Sequence, residues 1–127
     1  MLFRSLIINP LLEKSAYLKA EDMSKNNYFA HISPSGVTPW EWFSKVGYKF
    51  TYAGENLAVD FNESRDVERA WINSPTHNAN LISSRFSEIG IATYKGFLNG
   101  KETIFVVQHF GKQSDSQNQL EIGRAHV

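Results

Sequence analysis

The sequence contains no cysteine. Disulfides, thiolate metal centres and a cysteine nucleophile are therefore excluded, while the compartment stays open, because secreted bacterial domains often carry no disulfide. Nor is there an excess of charge of either sign. Thirteen Lys and Arg face thirteen Asp and Glu, so no electrostatic footprint points to nucleic acid or to an anionic lipid surface. No stretch approaches the roughly 18 apolar residues of a membrane span, and Leu6, Ile7 and Ile8 are too few for the core of a signal peptide. A His-Glu-x-x-His pair, a phosphate-binding glycine loop, a Walker motif and a nucleophile elbow are all missing from the chain.

What is present is a globular composition. Of 127 residues, 42% are hydrophobic and 13% aromatic, and a chain of this length buries about two-thirds of its unfolded surface in one core. The two ends read differently from the middle. Residues 1–5 match one frame of the reverse complement of a common sequencing adapter, and residues 122–127 match one frame of its forward strand. We expect both ends to be adapter translation, with Ser5 and Ile122 at the junctions and no role for His126. A natural signal sequence is then missing from the fragment. Residues 6–111 are expected to form one domain, and the polar run 112–120 a linker or frayed tail.

Asn9 followed by Pro10 is a helix start. Leu12, Ala16, Ala20 and Met23 then recur at helical spacing to about Asn26, with Lys14, Lys19, Glu21 and Asp22 assigned to the solvated side. Pro34-Ser35-Gly36 is a turn. Thr38, Pro39 and Glu41 make a capping box for a second helix that stops at Gly47, and 48–52 is β-prone. A third helix is expected over 64–73, burying Val67, Ala70 and Trp71, and a short fourth from Ser74-Pro75 to about Asn80. Residues 86–95 and 103–110 read as an antiparallel hairpin turning near Asn99-Gly100. Helices first and a hairpin last imply an α+β domain.

Three polar residues stand near expected chain reversals, where scaffolds present side chains to a cleft. His31 reads as a metal ligand or general base, or else as a surface histidine at a helix exit. Glu55, set between Gly54 and Asn56, reads as a partly buried carboxylate that needs a partner, or as a cap. His77 falls on the first turn of a short helix, whose dipole favours the neutral ring that a metal or proton acceptor requires; its alternative is an exposed residue. His109, on a strand, reads as structural. The aromatic cluster of Trp40, Trp42, Phe43, Tyr48, Phe50 and Tyr52 is either core packing or the wall of a ligand groove.

Several stretches, in order, resemble one family. They are Asp22-Met23 with Tyr28-Phe29-Ala30-His31-Ile32-Ser33-Pro34-Ser35-Gly36; Gly47-Tyr48 with Ala53-Gly54-Glu55-Asn56-Leu57-Ala58; Ala70-Trp71 through Ser74-Pro75-Thr76-His77 to Asn80-Leu81; Phe86 to Ile91; and Val107-Gln108-His109-Phe110-Gly111. Together they are similar to the cysteine-rich secretory, allergen and pathogenesis-related superfamily in its short bacterial form, and they cover residues 12–111. The resemblance implies a three-layer α-β-α sandwich with a small antiparallel sheet, an extracytoplasmic location, and a central cleft lined by two His and two acidic residues that in some members binds a divalent cation.

Matched residue by residue, His31, Glu55 and His77 fill three of those four positions, and Asn56 and Asn73 join them as candidate cleft residues. At the second acidic position Asn73 and Ser74 stand instead, without charge. Two neutral imidazoles, one carboxylate and water suit zinc or a similar ion better than magnesium or calcium. Three functions follow as expectations: an envelope module binding a small apolar ligand, lipid, peptide or glycan; a zinc-assisted hydrolase using the same cleft; and a structural or adhesive module whose polar cluster fixes the fold.

Overall fold

The computed structural model describes residues 6–60 and 84–114. In chain order the elements are β1 (Ile7–Ile8), α1 (Pro10–Lys25), α2 (Pro39–Lys45), β2 (Phe50–Asp60), β3 (Glu88–Leu98) and β4 (Lys101–Gln113). The sheet order is β1-β3-β4-β2. β1 runs parallel to β3, and the other pairings are antiparallel. This is the expected α+β class. The helices expected over 64–73 and from Ser74 lie outside the described residues.

α1 begins as its sequence directs. Asn9 Oδ1 accepts from Leu11 N–H at 2.8 Å, and Asn9 Nδ2 donates to Glu88 Oε2 at 3.0 Å. The cap therefore also ties the helix to β3. Asn9→Ala removes both bonds and is expected to lower stability by about 1–2 kcal/mol; a urea midpoint unchanged from wild type would contradict this.

Leu12, Ala16, Ala20 and Met23 are fully buried, but so are Ser15 and Lys19. The assignment of Lys19 to the solvated side is thus corrected. Positions 12, 15, 16, 19, 20 and 23 form a single stripe at three- and four-residue spacing. Lys19 falls inside it and is tolerated because its ammonium finds acceptors, described below. The stripe packs against Leu57, Phe105 and Val107 of the sheet. Close contact is made at two glycines of β3. A Cβ on Gly90 would stand 2.2 Å from the backbone of Leu12 and Glu13, and one on Gly96 would stand 2.0 Å from Ser24 Oγ. That approach lets α1 reach the outer side of β3, where Phe97 N–H donates to Ser24 Oγ at 3.1 Å and Asn99 N–H donates to Asn27 Oδ1 at 2.7 Å.

α2 has the expected start, with Thr38 N–H donating to the Glu41 carboxylate at 2.7 Å. Its buried Phe43 joins Leu12 and Tyr48 in a second cluster on the α1 side of the sheet.

β2 differs from expectation. In place of a short strand ending at a reversal near Gly54, one strand of 11 residues runs through Gly54 and Glu55. Gly54 is paired with Phe110 and Glu55 with His109. The reason lies in the alternation beyond Gly54. Glu55, Leu57 and Val59 share the α1 face, while Asn56 and Ala58 take the other, so the run satisfies a period of two that the glycine disguises. The hairpin turns at Asn99 and Gly100, both at positive φ (53° and 78°), the pair a tight two-residue turn demands. β4 continues through Lys112 and Gln113, which pair with Tyr52 and Phe50, two residues beyond the boundary expected at Gly111. On the sheet's other face Val106 and Phe110 are buried, and Asn56 Nδ2 donates to Gln108 Oε1 at 3.0 Å.

Candidate functional site

The site grows from Glu55. Its carboxylate is buried on the α1 face of β2 and meets two imidazoles. His31 Nδ1 stands 2.7 Å from Oε1, and His109 Nε2 stands 2.8 Å from Oε2. An ionised carboxylate only accepts, so both rings donate to it. The far nitrogen of His109, Nδ1, lies 2.6 Å from Ser15 Oγ, which also lies 3.1 Å from the Leu12 carbonyl. Phe43 stacks on the His109 ring at a centroid distance of 4.5 Å. A chain of bonds thus runs from the α1 core to His31 at the surface.

The protonation states follow from burial and charge. Burial lowers the His109 pKa, against the opposing pull of Glu55, so the ring is neutral, with Nε2–H donating to Glu55 and Nδ1 accepting from Ser15. Burial pushes Glu55 upward, but hydrogen bonds from His109 and His31 and the charge of Lys19 outweigh it and hold the carboxyl below its ordinary range. The buried anion therefore has a buried cation near it. Lys19 is itself lowered by desolvation and held up by Glu55 and Asp22.

Lys19 fixes the loop that carries His31. Its Nζ donates to the carbonyls of Ala30 (2.8 Å) and His31 (2.9 Å) and to Tyr28 Oη (3.2 Å). Three donors and three acceptors satisfy an ammonium fully. Tyr28 in turn donates to Asp22 Oδ2 at 2.5 Å; burial and that carboxylate raise its pKa well above the ordinary phenol value. The next turn is closed by Ser33, whose Oγ accepts from Val37 N–H at 2.9 Å.

His31, Glu55 and Trp40 meet at a groove of about 410 Å³, lined also by Ile32, Thr38, Pro39, Ala53 and Gly54. The His31 side chain is 57% exposed. With Nδ1 turned to Glu55, its Nε2 has no hydrogen-bond partner among the described residues. Trp40 is 43% exposed and backed by Phe43 and Phe50 at centroid distances of 6.0 and 6.2 Å. The aromatic cluster thus divides. Trp42, Phe43 and Tyr48 are core, and Trp40 walls the groove.

Of the expected site residues, His31 and Glu55 are brought together. Asn56 is not with them: it points to the opposite face of the sheet, toward Gln108. Asn73 and His77 lie outside the described residues. Two residues that sequence reasoning did not place at the site, Lys19 and Ser15, support it from α1, and His109, read as structural, is structural through a direct bond to Glu55. No spacing signal announced that bond, since the pair is 54 positions apart and set by the β2–β4 register.

Ser15, His109 and Glu55 stand in the order of a nucleophilic triad, but Ser15 is fully buried and is not among the residues lining the groove at His31, so as placed it does not meet a substrate there. For a metal, no group of three or more His, Asp or Glu side chains converges among the described residues. Glu55 takes one bond from each imidazole, and among the described residues His31 Nε2 is the site nitrogen that would face an ion. The described residues fit the orienting half of a metal site better than a full ligand set.

A model of the cysteine-rich secretory protein family matches residues 4–110. An uncharacterised Bacillus subtilis protein, YkwD, is 36% identical over 88 residues, which is 69% of this chain and 34% of that protein. Among solved structures, an extracellular protein from Bacillus anthracis containing an SCP domain superposes with a TM-score of 0.73 at 27% identity, over 87% of this chain and 35% of that one. An outer surface protein from Borrelia burgdorferi gives a TM-score of 0.72 at 33% identity, over 88% and 80%. The chain thus spans about a third of the length of the Bacillus relatives. No helix among the described residues is long and apolar enough to cross a membrane.

Proposed function

The chain belongs to the cysteine-rich secretory protein family, and from that premise we propose that it is an extracytoplasmic ligand-binding module whose site is the groove between Trp40 and the His31–Glu55 pair. The observation that carries this reading is the lining itself. Ile32, Pro39 and Trp40 offer apolar surface, and one polar pair is held rigidly at the groove's side by Lys19 and His109. A mostly apolar concavity with a few fixed polar groups is the usual form of a small-ligand site. The extracytoplasmic location draws support from relatives described as an extracellular protein and an outer surface protein.

The test is an NMR titration of the whole chain with an apolar fluorescent probe, a fatty acid, a short peptide and an oligosaccharide. At least one class is expected to shift the Trp40 indole N–H and the Gly54 amide, and Trp40→Ala to weaken it by about tenfold or more. If none moves either signal at millimolar concentration, the groove is not a binding site.

A second reading rests on the His31–Glu55 bond, since a carboxylate behind an imidazole is how proteins orient a metal-ligating histidine. Zinc would take His31 Nε2, with His77 the expected second ligand. Calorimetry should then show zinc uptake that both His31→Ala and His77→Ala abolish. No uptake by the wild type at millimolar zinc would end this reading.

A further inference from the structure

We propose that Asn99 is a site of spontaneous covalent modification, its side-chain amide giving way to a ring closed by the Gly100 backbone nitrogen. The isoaspartate that results releases the tip of the β3–β4 hairpin from α1. The site shares no residue with the groove at His31.

Asn99-Gly100 is the one Asn-Gly step in the chain. Glycine in second place matters because it has no side chain to hinder approach to its nitrogen. Here both residues are exposed, and a Cβ on Gly100 would meet nothing within 4 Å. The register pairs Leu98 with Lys101 across the turn, so the bonds that close the two-residue loop belong to those residues. The Gly100 N–H has no backbone partner among the described residues. Asn99 itself is held by Asn27. Its N–H donates to Asn27 Oδ1 at 2.7 Å, and its Oδ1 accepts from Asn27 Nδ2 at 3.2 Å. The backbone donor fixes which end of the Asn27 amide is oxygen, so the NH₂ is the end that meets Asn99 Oδ1.

The reaction needs only water and hydroxide. The Gly100 nitrogen loses its proton to hydroxide and forms a bond to Cγ of Asn99, while the C=O electron pair moves onto Oδ1. The Asn27 NH₂ already donates to that oxygen, as an oxyanion donor does. The tetrahedral centre then expels Nδ2 as ammonia, which takes its third hydrogen from water, and a five-membered succinimide remains. Water opens the ring at either carbonyl. Opening at Cγ gives aspartate, which keeps an oxygen for Asn27 and the same main chain. Opening at the backbone carbon gives isoaspartate, whose main chain runs through Cβ and Cγ. That adds a methylene to a two-residue loop whose length fixes the hairpin register. The turn at Asn99 and Gly100, built on φ of 53° and 78°, no longer closes. Asn27 and Ser24 then lose the Asn99 and Phe97 amides from which they accept.

The test ages the whole chain for weeks in neutral and in mildly alkaline buffer. Its peptides are then read by mass spectrometry with electron-transfer fragmentation, which separates aspartate from isoaspartate. Asn99 is expected to convert before any other asparagine, faster at the higher pH, with isoaspartate the larger product. Gly100→Ala should all but stop the conversion. Asn27→Asp keeps the acceptor for the Asn99 N–H and removes the donor to its Oδ1. It should slow the conversion by about threefold or more, as the loss of one exposed hydrogen bond does. Preserved amide dispersion would show that both variants fold. Hydrogen exchange at the Phe97 amide should be at least about tenfold faster in the isoaspartyl form than in fresh protein or in Asn99→Asp. Conversion of another asparagine ahead of Asn99, or an unchanged rate in Gly100→Ala, would overturn the site. An unchanged rate in Asn27→Asp would overturn the part given to Asn27, and equal exchange at Phe97 in all forms would overturn the release of the tip.

Discussion

Gly90→Ala is expected to lower the stability of the protein by about 3 kcal/mol, the upper end of what overpacking a core usually costs. The added methyl would stand 2.2 Å from the Leu12 carbonyl carbon and from Glu13 N. The obstacle is helix backbone, which cannot rotate aside as a side chain can. Either α1 lifts off β3 or β3 bows away from β4, and both movements open the cluster of Leu12, Phe43 and Tyr48. Gly36→Ala is the control. Gly36 has nothing within 4 Å of its would-be Cβ, and only its φ of +92° opposes a side chain, a strain of roughly 1–2 kcal/mol. Urea denaturation of both variants checks the difference. A Gly90→Ala midpoint equal to that of Gly36→Ala would show that α1 does not press on β3 as described.

The second large effect concerns Glu55. Glu55→Leu leaves the His109 Nε2–H buried without its acceptor and removes the larger of the two negative charges that hold up Lys19, and breaking a buried charge pair in this way costs about 3–5 kcal/mol. Glu55→Gln should cost far less. The amide oxygen still accepts from His109, and the amide NH₂ can donate to His31 Nδ1 once His31 moves its proton to Nε2. The same variant is therefore expected to fold. Equal losses of stability in Leu and Gln variants, measured by thermal unfolding, would sink this account.

The acid limb of stability has the same origin. Both His109 and Glu55 are held below their ordinary values of 6.5 and 4.5. On lowering the pH the unfolded chain takes up a proton at His109 near pH 6.5 and at Glu55 near 4.5, while the native state resists both. Stability therefore falls as the pH drops below about 6.5, and falls further below about 4.5. In His109→Gln the first part of that decline should shrink.

How much of this was legible depended on the range over which each signal acts. Asn9-Pro10, the capping box at Thr38 and Glu41, and Asn99-Gly100 are decided by neighbours within a few residues, and the structure has them as read. His31 and Glu55 were found because their flanking residues resemble a family pattern. Their partners were not legible. His109 reaches Glu55 only through the β2–β4 register, and a histidine on a strand gives no sign of what faces it. Lys19 was misjudged because its charge was given more weight than its position in the buried stripe, although position 19 falls four residues after Ser15 and four before Met23. The long β2 was hidden by Gly54, which reads as a turn until the alternation on its far side is counted.

The contact of Ser24 and Asn27 with β3 also bears on how copies of this protein behave when crowded. An unpaired outer strand is a template on which further strands add, the route by which sheets join from molecule to molecule. Here the amides of Phe97 and Asn99 at the tip of β3 are already held by Ser24 and Asn27 at the end of α1. Gly96 allows this by leaving room for Ser24. A larger residue at position 96 would push the helix end aside and bare those amides, and the expected sign is aggregation at high concentration rather than simple unfolding.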